Sequence, residues 1–320
     1  MMALSIALAA LQVLMVLGGA PLVIGAMRQV RARLEGRRGG GLGQPWRDLR
    51  KLFRKQQITP EGTTVVFRAA PFILLGSTLL IAAIIPVVSL GSPLDSSGDF
   101  VAVVGLLFLG TVALALAALD TGTAFGGMGS SRQMTVVALV EPTILLVLFT
   151  LSLRVHSANL AEIASGTLAN PAQAFSLGRI LAFASLVIVI IAETGRLPVD
   201  NPATHLELTM IHEAMTLEYA GPRLGLVEWA SGMRLTVLLV LLANLFFPWG
   251  VAPGGPGLVQ VLIAVAAIAA KVAILAMALS VGETFLAKLR LFRVPELLAG
   301  SFLLGILAVT ASSFLPAAGR

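Results

Sequence analysis

Six carboxylates and two of the three histidines fall within residues 192–234: Glu193, Asp200, Glu207, Glu213, Glu218 and Glu228, with His205 and His212. Long apolar runs flank this segment on both sides. A solvated connection between membrane helices does not need so many acids in so ordered a pattern. The chemistry such groups offer is proton uptake and release.

The middle of the segment is patterned as a helix. Asn201 is a capping residue type and Pro202 suits a first helical position. Val199 and Asp200 sit in an extended stretch between Pro198 and Pro202. No Gly or Pro interrupts residues 203–219, and Gly221-Pro222 then stops the helix. At helical spacing Leu206, Met210, Glu213 and Leu217 share one face. His205, Thr209, His212 and Thr216 form a second stripe, and Glu207 and Glu218 a third. Glu213 therefore either snorkels from a partly wet helix or is a carboxyl held in low dielectric, where the charged form is disfavoured.

The elements that must position these groups are membrane helices. Of 320 residues 57% are hydrophobic and 12% charged, against about 25% charged in soluble domains. The expectation is an all-α integral membrane protein, a single membrane domain over residues 1–320. Eight stretches are long enough or nearly so to span: residues 3–27, 69–90, 100–119, 134–153, 177–192, 235–250, 258–281 and 297–315. The fifth and sixth are short, and their ends are expected to run on into the acidic segment. The first is too long for a signal-peptide core and no Lys or Arg precedes it, so it reads as a retained span. There is no cysteine, which excludes a thiolate metal site, an iron–sulfur cluster or a disulfide of the chain's own.

Orientation follows from Lys and Arg. The loop over residues 28–68 carries eleven of them, and the loop over 88–99 none. With eight spans, the odd-numbered loops hold 18 of the 22 basic residues. That side is expected to be cytoplasmic, with the acidic segment (193–234) facing the cytoplasm. The clustering of the net charge of +6 in one membrane-flanking loop argues against nucleic acid as a partner. Within that loop a Gly run is a hinge, and Pro45-Trp46 opens an amphipathic helix to Lys55. Trp46, Leu49, Leu52 and Phe53 fall on one side, and Arg47, Arg50, Lys51 and Arg54 on the others. This helix suits an interface of anionic lipid, docking of a partner, or both.

Two charges lie within spans, where charges are rare and usually functional. Glu141, before Pro142, could continue a proton path from the acidic segment. Lys271 lies near the middle of the seventh span, as a relay or a structural counter-ion. Each costs about 2.5–3.5 kcal/mol on insertion scales if left unpaired against lipid. Arg154, Glu162 and Arg179 are expected to snorkel at the outer interface. Residues 120–132, with Gly126-Gly127-Met128-Gly129, read as a tight loop between helices; no strand or G-x-x-x-x-G-K supports a phosphate cradle. His212-Glu213 lacks the second histidine of a zincin, and no metal site or Ser-His-Asp set is expected.

With these residues in hand, the chain resembles the membrane subunit shared by complex I and the group 4 membrane-bound hydrogenases. Its hydrogenase forms are the formate hydrogenlyase subunit 4 and hydrogenase-4 component C types. Its complex I form is the subunit 1 (H-type) protein. QPWRDLRKLFRK at residues 44–55 is similar to the family's Q-P-(Y/W)-x-D-x-x-K-L-x-x-K, with Asp48 at its acidic position. ETGRLPVDNPATHLELTMIHEAMTLEY at residues 193–219 is similar to the hydrogenase branch. Glu193, Pro198, Asp200, Pro202, Glu207, Glu218 and Tyr219 fill positions shared with complex I. Thr204-His205 and His212-Glu213 fill hydrogenase-type ones.

The resemblance implies an eight-helix subunit that anchors a soluble redox arm. A nickel–iron centre and iron–sulfur clusters would reside in the partner large and small subunits, with no cofactor in this chain. Antiporter-like membrane subunits and formate dehydrogenase are implied as further partners, in the cell (plasma or inner) membrane. The implied coupling set is Glu193, Asp200, Glu207, Glu213, Glu218, Glu228, Glu141, His205, His212 and Lys271. Partner docking would fall to Trp46, Arg47, Asp48, Arg50, Lys51 and Arg54. The alternative is a complex I subunit with a quinone chamber under the same loop. A stand-alone ion transporter is disfavoured, because the spans show no inverted repeat.

Overall fold

The computed structural model describes residues 2–91, 98–169, 175–200, 210–290 and 293–314. Eleven α-helices are formed among the described residues. They are α1 (Met2–Leu34), α2 (Gln44–Arg54), α3 (Val65–Ile84), α4 (Phe100–Asp120), α5 (Ala124–Ser152), α6 (Leu160–Ala169), α7 (Leu177–Glu193), α8 (His212–Thr216), α9 (Gly221–Phe246), α10 (Leu258–Phe285) and α11 (Val294–Phe314). Seven of them, α1, α3, α4, α5, α9, α10 and α11, are long and apolar enough to cross a bilayer. The chain is thus an all-α, multi-pass membrane protein. α7, the fifth expected span, has 17 residues.

The loops sort to two ends. At one end the loops after α3, α5 and α9 are laced by backbone bonds: Ala252 N–H to Val88 O at 2.8 Å, and Phe100 N–H to Ala158 O at 3.1 Å. At the other end the Asp120 carboxylate accepts from Thr64 N–H at 2.7 Å, and Leu289 N–H donates to Pro198 O at 2.9 Å. The basic first loop and the acidic segment therefore share one end, as the alternation of charge implied. α7 runs from one end to the other between them.

α9 is the hub. It packs against α1, α2, α3, α6, α7 and α10, and 78% of its apolar window is buried, against 22% for α10 and α11. Two local expectations are corrected. The glycine-rich stretch after Asp120 is not a loop, since α5 begins at Ala124. Its glycines serve close approach: a Cβ on Gly129 would lie 2.8 Å from the Ala214 Cβ and 3.0 Å from Ile211 O. Arg179 does not snorkel. It is buried, donating to Thr167 Oγ1 at 2.9 Å and Leu245 O at 2.6 Å, over the ring of Phe246. A guanidinium has enough donors to tie two elements together where apolar packing leaves carbonyls unpaired.

α2 forms as its pattern predicts. Pro45 and Leu49 are buried, while Arg47, Arg50, Lys51 and Arg54 are exposed. It seats on α9 through Trp229, whose ring meets Trp46 at 5.6 Å and Phe53 at 6.1 Å. The Trp229 Nε1–H donates to Leu17 O at 2.9 Å, which ties in α1 as well.

Candidate functional site: a buried carboxylate cluster beneath an acidic cavity

The acidic segment is not one long loop, and its helix is not the expected one over 203–219. Residues 201–209, with His205, Glu207 and the Asn201-Pro202 start, lie outside the described residues. Beyond them Met210 and Ile211 are non-helical, α8 covers only five residues, and residues 221–234 are the first turns of α9. The apolar stripe divides accordingly: Met210 is buried, Leu217 is exposed, and Glu213 lines an open cavity.

Glu193 is the last residue of α7. The helix ends there because Gly195 adopts φ +58°. Arg196 N–H then reaches Ile191 O at 2.9 Å, and Gly195 N–H reaches Ala192 O at 3.1 Å. This left-handed C-terminal turn satisfies the terminal carbonyls. It points the Glu193 carboxylate inward, where it pairs with Arg234 of α9. Arg234 also donates to Leu107 O of α4 at 2.8 Å. Both side chains are almost wholly buried, and an ion pair so enclosed holds only because each partner answers the other's charge.

Glu141 of α5 is buried and lies within electrostatic reach of Glu193 and Arg234. Neither of its carboxyl oxygens has a hydrogen-bond partner among the described residues. Glu193 is thus paired directly with Arg234, while Glu141 lies near that pair with no hydrogen bond to it.

A small cavity of about 40 Å³ touches this cluster, lined by Glu193, Arg234, Thr111, Gln133, Thr194, His212 and Ser231 among others. It has room for water. Thr194, His212 and Ser231 also line a larger cavity of about 390 Å³, whose walls carry Asp200, Glu213, Glu228 and Glu283 with Arg28, Arg31 and Arg196. His212 stands between the two. Its ring nitrogen Nε2 is 3.4 Å from the Ser231 hydroxyl. Burial holds the imidazole below its ordinary pKa of 6.5, against the opposing pull of the Glu228, Asp200 and Glu193 carboxylates.

Asp200 accepts from the backbone N–H groups of Ile211 and His212, at 3.1 and 3.2 Å, and so places His212. Lys288 meets Asp200 at 3.3 Å and Arg196 meets Glu283 at 2.9 Å. These two ion pairs clamp residues 195–200 to the end of α10. Tyr219 fixes the other end of the segment: its ring stacks on Phe67 at 4.1 Å and its hydroxyl donates to Phe67 O at 2.9 Å. Burial pushes its phenol pKa up, which keeps the donor protonated.

Of the expected residues, Glu193, Asp200, His212, Glu213 and Glu228 line the two cavities, and Glu141 is buried within electrostatic reach of Glu193. Glu218 lines neither cavity. Lys271 stands apart, bonded to Asn244 Oδ1 of α9 at 3.2 Å. In α2, Asp48 turns toward Arg28 and Gln44, and Arg47 holds Gly40 O at 2.9 Å. Asp48, Arg28, Trp229 and Glu228 line a further cavity of about 250 Å³ under α2.

Arg234, Arg196 and Glu283 were missed. Placing the sixth span at 235–250 left Arg234 in a loop. The rule that charges inside apolar helices are functional would have found it, had the span start been set earlier.

The comparisons bear on the family and the fold. The family model described as NADH dehydrogenase matches residues 6–312. Formate hydrogenlyase subunit 4 of Escherichia coli is 32% identical over 301 residues, 93% of this chain and 95% of that one. Hydrogenase-4 component C of Escherichia coli is 36% identical over 230 residues, 72% of this chain and 71% of its own length. An H-type subunit of NADH-quinone oxidoreductase from Syntrophobacter fumaroxidans is 30% identical, covering 68% of this chain and 69% of its own. Among solved structures, a chain of the membrane-bound sulfane sulfur reductase, an archaeal respiratory membrane complex, superposes with a TM-score of 0.79 over 95% of this chain and 98% of its own. At 19% identity that likeness concerns the fold. The chain belongs to the NADH dehydrogenase family, with formate hydrogenlyase subunit 4, hydrogenase-4 component C and the H-type subunits of NADH-quinone oxidoreductase as relatives.

Proposed function

We propose that the chain is the membrane-embedded anchoring and ion-coupling subunit of a larger hydrogenase complex of the hydrogenase-4 or formate hydrogenlyase type. One observation carries this reading: Glu141 is buried within electrostatic reach of the Glu193–Arg234 pair, and His212 stands between that pair and an open cavity walled by acids and arginines. A proton can be held at the pair and exchanged through the small cavity, and nothing there needs a metal. The acidic cavity lies at the end that carries most of the basic residues, which the charge rule assigns to the cytoplasm. A soluble arm with a nickel–iron centre and iron–sulfur clusters would sit over that end. The exposed Arg50, Lys51 and Arg54 of α2 would help hold it. Redox turnover in the arm would shift the charge felt by the acidic cavity, and through His212 the protonation of the buried pair. Antiporter-like membrane subunits would carry the ion onward.

The test is purification of the complex in mild detergent, with nickel analysis and identification of the co-purifying subunits. The expected result is nickel together with hydrogenase large and small subunits. Glu141→Gln is expected to abolish coupled ion movement while donor turnover and assembly persist, because it removes a proton site without breaking a hydrogen bond. Glu213→Gln is expected to lower coupling in part. Unchanged ion movement in Glu141→Gln vesicles would overturn the coupling role.

The cavity of about 250 Å³ beneath α2, with Trp229 in its wall, supports a second reading, a chamber that admits a quinone headgroup as in a complex I subunit. Quinone reductase activity without nickel in the purified complex would favour it.

A further inference from the structure

α7 and α10 both pack on α9 and leave a gap between themselves. The gap is an apolar cavity of about 290 Å³. Val187 and Ile191 of α7, Leu242 of α9, and Leu275, Ala278 and Gly282 of α10 are among its walls. Val187, Ile191 and Leu275 are only half buried and Ala278 is exposed, so the gap opens sideways toward the bilayer.

Lys271 continues the α10 wall of this gap. It precedes Leu275 by four residues, Ala278 by seven and Gly282 by eleven, which is one helical stripe. It is also the fourteenth of the 28 residues of α10. About 20 Å of helix lies on either side, and its ammonium meets Asn244, two residues short of the end of α9. Its one partner among the described residues is the neutral Asn244 Oδ1, whose amide nitrogen already donates to Pro86 O and Val87 O. No acid pairs with it among the described residues.

We propose that the α7–α10 gap seats a transmembrane helix of another membrane subunit, and that this helix carries a carboxylate facing Lys271. The two observations select this occupant jointly. A lipid tail fills an apolar gap but brings no acceptor to a cation beside it. A membrane helix supplies both the apolar packing and the acid, and polar groups inside a membrane are satisfied by neighbouring helices. The proposal rests on the chain's being one subunit of a larger membrane complex.

The experiment uses the full complex in its native membranes. A photo-reactive phenylalanine analogue replaces Ile274, which is exposed on the same flank of α10, and the captured species is identified by mass spectrometry. The expected capture is a membrane subunit with an Asp or Glu inside an apolar span. Lys271→Met and Lys271→Glu are then expected to increase loss of that subunit on detergent washing by at least about tenfold. Lys271→Arg retains it, and Lys271→Glu combined with the reverse change at the captured acid restores it.

Capture of lipid alone, a captured helix with no acid in its span, or undiminished retention in Lys271→Glu would each overturn the proposal. If the unmodified chain purifies from its membranes with no other subunit, the reading of the chain as part of a complex itself falls. If partners co-purify but Ile274 captures only lipid, the seat alone falls.

Discussion

α9 and α10 each carry a cation within the membrane-spanning part of the chain, and they treat it differently. Arg234 of α9 reaches Leu107 O of α4 and finds its acid inside the chain at Glu193 of α7. Lys271 of α10 sits on a peripheral helix and, among the described residues, meets only a neutral amide. Both side chains face the same desolvation problem. The difference is one of surroundings: Arg234 is enclosed by other helices that bring it an acid, whereas Lys271 stands on a helix with a free flank.

The sharpest way to break this contrast is to remove the internal partner. Arg234→Met leaves Glu193 buried without an opposite charge. The expected cost is about 3–5 kcal/mol, read as a large drop in melting temperature of the purified subunit in detergent. A melting temperature within a degree or two of wild type would mean that the pair is solvated and the contrast false.

A smaller effect is expected at the rim. Replacing Arg47, Arg50, Lys51 and Arg54 by Ser is expected to weaken retention of the soluble arm on washed membranes by roughly tenfold. The loss should deepen with salt, because these side chains are exposed. Unchanged retention would leave α2 as a lipid anchor alone.

His212 sharpens the comparison through pH. Its folded-state pKa is lowered by burial, so below pH 6.5 the unfolded chain binds more protons than the folded one. Stability is then expected to fall as pH drops below 6.5 and to level off above it. His212→Gln is expected to flatten that slope in thermal melts. An unaltered slope would assign it to other groups.

The smallest effect is expected at Lys271 in the isolated subunit. With only Asn244 to lose, Lys271→Met should change stability by less than about 1 kcal/mol. A loss as large as that of Arg234→Met would mean that Lys271 has an internal partner of equal weight.

Much of this was legible without coordinates. Composition and run lengths gave membrane helices, since about 20 apolar residues leave few alternatives. The pairing of Trp46, Leu49 and Leu52 against Arg47, Arg50 and Lys51 gave α2, because amphipathic spacing is a local property. The functional segment was marked by its acids. The same local reasoning failed at 210–211 and 217–219, on either side of α8. There Met210 and Ile211 are held out of helix by packing and by the Asp200 carboxylate, which takes the N–H groups of Ile211 and His212. Propensity yields when a tertiary acceptor competes for the same donors.

By itself, then, the sequence determined that charged groups cluster at one end of an apolar helical bundle, because periodicity, apolar run length and loop charge are encoded residue by residue. Which carboxylates are dry was decided only in three dimensions. Glu213, drawn to notice by its stripe, lines the open cavity with one carboxyl oxygen buried, while Glu193 meets Arg234 from a helix distant in the chain and Glu141 is buried near that pair. Burial and pairing depend on what neighbouring helices bring to a point, and no spacing along one helix records that.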